Sequence, residues 1–457
     1  MSPLHPYQRD AAQFILNTPR CLLQMPMGSG KSLTTLTALD SLSLLEDVFP
    51  ALVIAPLRVA QSTWPNEVAQ WPFLGHLRVS VVTGSPAQRQ LALDKTADIY
   101  TTNYENLPWL EAHLQSRWPF RCIVADESTK LKGFRTRQGT KRAKSLAKAA
   151  FRSPRFIGLT GTPAPNGLQD LWGQVWFCDQ GQRLGKSFTA FQSRWFRSIQ
   201  MGANAMATKL EPYPHSQKEI EDRIRDITYS LDIRDHLDIR QPIVNIIKVK
   251  LPTNAAKLYR QMEQEMWVQL ASLKEVEAVN AADKTQKCLQ IASGFAYHDA
   301  KRNYEEIHDA KLEALDSVIE EACGAPVLVA YVFKADLERL LKRFPKGKAM
   351  DADPKTIEQW NAGKIPMLFV HPKSAGPGLN LQHGGNIFCF YGIDWNLEDR
   401  LQVIERIGPV RQKQAGYDRP VFIHYLIAEG TVDELVLTRV DAKKSVMETL
   451  MQNLKNR

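Results

Sequence analysis

The most constraining stretch of this 457-residue chain is Met25 to Ser32, MPMGSGKS, set between the apolar run CLLQM and a helix-like stretch rich in Thr and Leu. Gly28 and Gly30 permit a tight backbone turn, so the successive amides of the loop, Ser29 included, and the start of the next helix point toward one spot. Such a cradle suits phosphate oxygens. Lys31 is then placed to meet the outer phosphates, and Ser32 to offer its hydroxyl to Mg²⁺.

Further along, RCIVADEST is an apolar strand that ends in two adjacent carboxylates, Asp126 and Glu127. Phosphoryl transfer to water needs one carboxylate on the metal side and one to orient and deprotonate the attacking water. Asp126 takes the first role and Glu127 the second. A strand end capped by solvated acids is the plainer alternative, and the phosphate loop upstream weighs against it. ATP and Mg²⁺ are therefore the expected cofactors.

The rest of the chain repeats the same grammar. ALVIAPL, RVSVVTG, ADIYTTN and RFIGLTGT in the first half, and PVLVAYVF, IPMLFVH, NIFCFYG and RPVFIHYLI in the second, are short β-forming runs between helix-like stretches. Runs of that kind predict doubly wound α/β layers with parallel sheets. A chain of this length accommodates two domains. We expect the first over residues 1–228, a linker over 229–253 and the second over 254–457.

Composition narrows the class without deciding it. Hydrophobic residues at 44% and charged residues at 23% describe an ordinary globular protein. The formal charge of +9 favours a polyanionic partner but is diffuse. Cys21, Cys122, Cys178, Cys288, Cys323 and Cys389 form no CxxC pair, so reduced thiols are expected in place of a zinc ribbon or disulfide framework. No apolar run approaches the ~18 residues of a membrane span, and the first residues lack a signal-peptide core. The expected compartment is the cytoplasm, of a bacterium or of a phage-infected host cell, with the chain acting as a monomer.

Taken in order, the motifs resemble the Swi/Snf-type branch of superfamily 2 helicases, especially its short phage-encoded members. LHPYQRDAAQFIL places Gln8 where the family reads adenine, and GSGKS, LVIAPLRVAQSTW, IYTTNYENL, VADESTKLKG and LTGTPAPNGLQDLW match motifs I, Ia, Ib, II and III. PVLVAYVFKADLERL, SAGPGLNLQHGGNIFCFYGIDWN and QVIERIGPVRQ stand for motifs IV, V and VI. The resemblance implies two tandem RecA-like domains with a cleft between them, ATP hydrolysis in that cleft, and movement along duplex DNA without sequence preference. Motor action on RNA, or an ATP-switched DNA-binding module that hardly translocates, are the alternatives.

It also implies roles for individual residues. Thr160, Gly161 and Thr162 of motif III would couple the ATP site to the rest. Thr129 stands in DEST where relatives carry the last residue of DEAH or DEAD, and hydroxyl bonding is expected to substitute there. Pro56 and Arg58, Thr101 and Thr102, and in the second half Lys373, Ser374 and Asn380 fall on the backbone-gripping positions. Motif V carries Pro377 within its glycine-rich run. In motif VI, Arg406 fills the first arginine position and Pro409 the second. Gly408-Pro409 should end the helix carrying Arg406 and leave Arg411 on a loop, free to act as the second arginine.

One charge feature stands apart from the motifs. Between Thr129 and Arg155 lie ten Lys or Arg residues and no acid, among them Lys141, Arg142 and Lys144. So one-sided a run calls for a polyanion or bulk salt. A duplex-binding rim and a solvated helix face are both open readings.

Overall fold

The computed structural model describes residues 4–200, 208–236, 238–272, 276–299, 302–351, 353–374 and 379–455. The chain forms two compact units: Met1–Ile199 with Leu210–Asp238 and Lys443–Arg457, and Gln200–Lys209 with Ile239–Ala442.

The first unit is built on seven strands: β1 Arg20–Gln24, β2 Ala51–Ala55, β3 Val79–Val81, β4 Ile99–Asn103, β5 Cys122–Asp126, β6 Arg155–Thr160 and β7 Thr228–Ser230. Their order across the sheet is β3-β4-β2-β5-β6-β1-β7, with every neighbouring pair parallel. The apolar runs of the sequence are these strands, and β2, β4, β5 and β6 are buried along their whole length because helices cover both faces. Parallel pairing brings all carboxyl ends to one edge, which is where ligands of open α/β sheets bind. Arg20, at the start of β1, donates to the carbonyls of Ala150, Ser153, Phe177 and Cys178, closing two chain turns at the opposite edge.

The second unit holds six parallel strands: β8 Ile243–Val249, β9 Val327–Ala330, β10 Lys348–Ala349, β11 Met367–Val370, β12 Ile387–Phe390 and β13 Phe422–Ala428, in the order β8-β13-β12-β9-β11-β10. Its interior carries an ion pair, Lys311 Nζ to Asp433 Oδ2 at 2.6 Å with both side chains no more than 2% exposed. Removing either partner would strand a buried charge.

The division differs from the sequence expectation in several places, among them Gln200–Lys209, which belongs to the second unit. Ile243–Val249, inside the expected linker, is the edge strand β8, paired with β13 from Ile243↔Phe422 to Val249↔Ala428. Its exposed Ile243, Val244 and Ile246 hide the alternation that marks a half-buried strand. The chain's last stretch, expected in the second domain, belongs to the first unit from Lys443 onward. Leu450 and Leu454 join that unit's core, and Arg225 and Ser230 donate to the carbonyls of Asn453 and Met451. Among the described residues no helix is long and apolar enough to cross a membrane.

Candidate functional site

The phosphate loop follows β1 and leads into the helix Lys31–Ser43. Gly28 and Gly30 adopt φ +77° and +78°, the left-handed region that side chains disfavour. At Gly30 there is a second reason for glycine. A Cβ there would lie 2.2 Å from Gln8 Nε2. Gln8 itself is buried, donates to the Ser29 carbonyl at 2.9 Å and accepts from the His5 amide at 2.9 Å, so it braces the loop from behind. Lys31 Nζ donates to the carbonyls of Met25 (3.0 Å) and Pro26 (3.2 Å). The ammonium is thus held within the loop, and Ser32 is partly exposed in the helix's first turn.

Asp126 and Glu127 leave the end of β5 almost fully buried. Burial pushes the Asp126 carboxyl above its ordinary value, while nearby Lys31 and the Trp64 hydrogen bond pull against it. Trp64 Nε1 donates to Asp126 Oδ2 at 3.0 Å, and the Glu127 amide to Asp126 Oδ1 at 3.1 Å. Glu127 is left-handed at φ +57°, ψ +57°, a strained state for a non-glycine residue. Tyr104 Oη donates to the carbonyls of Asp126 (2.8 Å) and Glu127 (3.3 Å). Burial raises that phenol well above its usual range.

Motif III lies against the phosphate loop because β6 is the neighbour of β1. The Met25 amide donates to Thr160 O at 3.0 Å, and a Cβ on Gly161 would lie 3.2 Å from the Met27 nitrogen. Thr160 Oγ1 accepts from the Thr162 amide at 3.0 Å, and Thr162 Oγ1 is buried with no hydrogen-bond partner among the described residues. Ser128 Oγ donates to Gln174 Oε1 at 2.8 Å, whose Nε2 donates to Pro163 O at 2.7 Å. A connection from motif II to motif III therefore runs through Ser128, one residue before Thr129, which is also fully buried.

This arrangement fits a nucleoside triphosphate with Mg²⁺. Left-handed glycines open a cradle, a lysine lies close enough to pull down the carboxyl of Asp126, and a buried threonine hydroxyl has no hydrogen-bond partner among the described residues. Ser32 and Asp126 have the oxygen donors that a hard cation selects.

Two of the other expected contact residues are turned inward. Thr101 and Thr102 are fully buried and their hydroxyls donate to Ala60 O (2.7 Å) and Val82 O (2.8 Å). β4 lies inside the sheet, so these hydroxyls hold neighbouring segments and do not face a ligand. Pro56 and Arg58, past the end of β2, are partly exposed. In the basic run the missing counter-charge comes from elsewhere in the fold: Arg142 pairs with Glu105 (3.1 Å), Lys148 with Glu111 (3.3 Å) and Arg155, almost fully buried, with Glu46. Lys144 donates to Arg137 O at 2.7 Å, and Lys141 is exposed.

In the second unit, Lys373 and Ser374 are exposed, with Ser374 Oγ donating to His371 O at 2.9 Å. Pro377 lies outside the described residues. Arg406 is 3% exposed and donates to Leu379 O at 3.3 Å. Arg411 is not on a loop. Pro409 is the first residue of a helix, Pro409–Gln414, where its missing N–H costs nothing and its fixed φ suits the first turn. Arg411 Nη1 donates from that helix to Asn380 Oδ1 at 2.7 Å, joining motif VI to motif V.

Sequence reasoning missed Trp64, Tyr104, Ser128 and Gln174. Each sits within or just after a motif, but a buried aromatic reads as core packing and a glutamine as surface until the fold shows what its polar atom meets.

Comparison with known proteins places this architecture. The SNF2-related domain matches residues 7–302. Protein p41 of Acyrthosiphon pisum secondary endosymbiont phage 1 is 50% identical over 455 residues, covering 99% of this chain and 98% of its own. The CHD3-type chromatin-remodeling factor CHR7 of Arabidopsis thaliana is 24% identical over 486 residues, 98% of this chain and 37% of that factor. The DNA repair and recombination protein RAD54-like of Gallus gallus is 23% identical over 512 residues, 97% of this chain and 67% of that protein. The chain spans little more than a third of the plant factor's length.

Proposed function

We propose that this chain, which belongs to the SNF2-related family, is a DNA-stimulated ATPase that converts ATP hydrolysis into movement along duplex DNA. The observation that carries the reading is the meeting, at one edge of a parallel sheet, of a left-handed glycine loop, its lysine and a buried Asp-Glu pair. Relatives named for DNA repair and chromatin remodelling support DNA as the partner.

In this reading Gly28, Ser29, Gly30 and Lys31 hold the phosphates, Gln8 the adenine side, and Ser32 with Asp126 the Mg²⁺. The cation, when bound, offsets charge that develops on the phosphoryl oxygens. Glu127 orients the attacking water and takes its proton. Arg406 and Arg411 supply guanidinium charge, and Thr160, Gly161, Thr162 and Thr129 link the phosphate state to the surrounding loops. Pro56, Arg58, Lys141, Arg142, Lys144, Lys373, Ser374 and Asn380 contact the sugar-phosphate backbone, whose contacts position without reading sequence.

The deciding experiment compares steady-state ATP hydrolysis with duplex DNA, single-stranded DNA and RNA. Stimulation greatest with duplex DNA supports the reading. Greatest stimulation by RNA, or none by any nucleic acid, would sink it.

A further inference from the structure

Two aromatic donors reach the Asp126–Glu127 pair from two separate loops of the first unit. The first is Trp64. After β2, Pro56 and Arg58 lead into a π-helical turn, Val59–Thr63, closed by the Trp64 amide on Val59 O. A π turn is wider than an α turn, re-aims the residues after it, and frequently occurs at functional sites. Here it points a fully buried indole N–H at a carboxylate oxygen, 3.0 Å from Asp126 Oδ2. The second is Tyr104, first residue of the short 3₁₀ turn that follows β4. Its hydroxyl serves the two carbonyls on either side of the strained Glu127 backbone. The loops are themselves tied together, since Thr101 Oγ1 of β4 donates to Ala60 O inside the π turn at 2.7 Å.

We propose that Trp64 and Tyr104 are positioning residues that transmit engagement of the loops after β2 and β4 to the Asp126–Glu127 pair. The two donors divide the work. With the Glu127 amide on Oδ1 and the indole on Oδ2, each Asp126 oxygen has one direction taken, which fixes the plane of the carboxylate and the direction of the lone pairs left for a cation. Tyr104 holds the peptide that keeps Glu127 left-handed, and so sets where the Glu127 carboxylate projects. A shift of the π turn by a bound phosphate backbone moves the indole, and the carboxylate plane turns with it. Core packing alone requires neither the N–H nor the O–H.

The transmission rests on the DNA-stimulated reading, whereas the positioning of Asp126 does not, and the test separates them. Tyr104→Phe keeps the ring and removes the donor, whereas Trp64→Phe removes the donor and also leaves a cavity where the larger indole packed. For Trp64→Phe, binding of a fluorescent ADP is titrated against Mg²⁺ without DNA. The Mg²⁺ requirement should rise about tenfold, the scale of losing a hydrogen bond to a charged group, while metal-free ADP affinity stays at the parent level. Both variants should also lower the ratio of DNA-stimulated to basal hydrolysis with nucleotide-free DNA affinity unchanged, Trp64→Phe at some cost in thermal midpoint. Trp64→His, which retains a ring N–H, should recover part of the Mg²⁺ effect. An unchanged Mg²⁺ requirement in Trp64→Phe overturns the positioning of Asp126, and an unchanged stimulation ratio in both variants overturns the transmission. A parent enzyme that ignores all nucleic acid ends the transmission together with the proposed function, but leaves the Mg²⁺ titration to decide the role of Trp64. Should Trp64→Phe fail to fold, Tyr104→Phe carries the ratio measurement alone, and parental stimulation there overturns the relay.

Discussion

The carbonyl of Thr160 accepts the amide of Met25 at 3.0 Å. Two segments far apart in sequence thus leave the sheet side by side, one to become the phosphate loop and the other motif III. In the proposed reading, a change in the phosphate count of a nucleotide on the first would alter the surroundings of Thr162.

Lys31→Ala should abolish ATP turnover by removing the cation for the outer phosphates, and Glu127→Gln should do so while still binding ATP. Hydrolysis assays with a parallel nucleotide-binding measurement check both. Near-parental turnover in either variant would show that the chemistry lies elsewhere.

Arg411→Ala should lower hydrolysis at saturating ATP and DNA by about 10³-fold and change ATP affinity by no more than a few fold, since a guanidinium of this kind acts chiefly in the transition state. Because Arg406 is buried against Leu379 O, Arg406→Ala should also lower the thermal midpoint. A parental rate for Arg411→Ala with collapse only in Arg406→Ala would assign the role to Arg406.

Neutralising Lys141, Arg142 and Lys144 together should flatten the salt dependence of DNA affinity, by about 0.9 in log–log slope for each phosphate left without its cation. Arg155→Gln should leave that slope alone and cost stability instead, because its guanidinium donates to Ile15 O and Leu16 O inside the fold. An unchanged slope in the triple variant returns the run to a solvated surface.

Asp336 gives the second unit a pH signature. It is fully buried, and burial pushes its carboxyl up to about 6 against the pull of the Phe333 and Val332 amides and of Lys311 and Arg339. Between its ordinary value of 3.8 and about 6 the folded state binds the proton more tightly than the unfolded chain does. This group therefore adds stability at low pH that is lost as pH rises through about 6, by up to ~3 kcal/mol. Asp336→Asn keeps an acceptor for the two amides and should flatten this part of the denaturant midpoint's pH profile between 4 and 7. A profile identical to the parent would contradict it.

The strands, the phosphate loop and the carboxylate pair were legible in the sequence because each depends on local pattern: a run of β-formers, two glycines before a lysine, two acids after a buried strand. What was not legible depends on which element lies next to which. Thr101 and Thr102 look like hydroxyls offered to a phosphate, and only the position of β4 within the sheet shows them bonded to Ala60 and Val82. Pro409 reads as a helix breaker in isolation, yet the same ring begins a helix when the preceding residue is extended. The basic run looks uncompensated because its acids, Glu46, Glu105, Glu111 and Asp170, come from other elements, with Asp170 3.9 Å from Lys132.

The return of the chain from Lys443 onward to the first unit has a consequence for biosynthesis. Leu450 and Leu454 belong to that unit's core, and Met451 offers its carbonyl to Ser230 at the end of the edge strand β7. On the ribosome, a domain usually consolidates once its own residues have emerged. This one has its sheet early and its closing segment late, so the ground beneath β7 stays open to water and to chaperones while the whole second unit is being made. Synthesis order and folding order are thereby decoupled, and the first unit to be translated is the last to be finished.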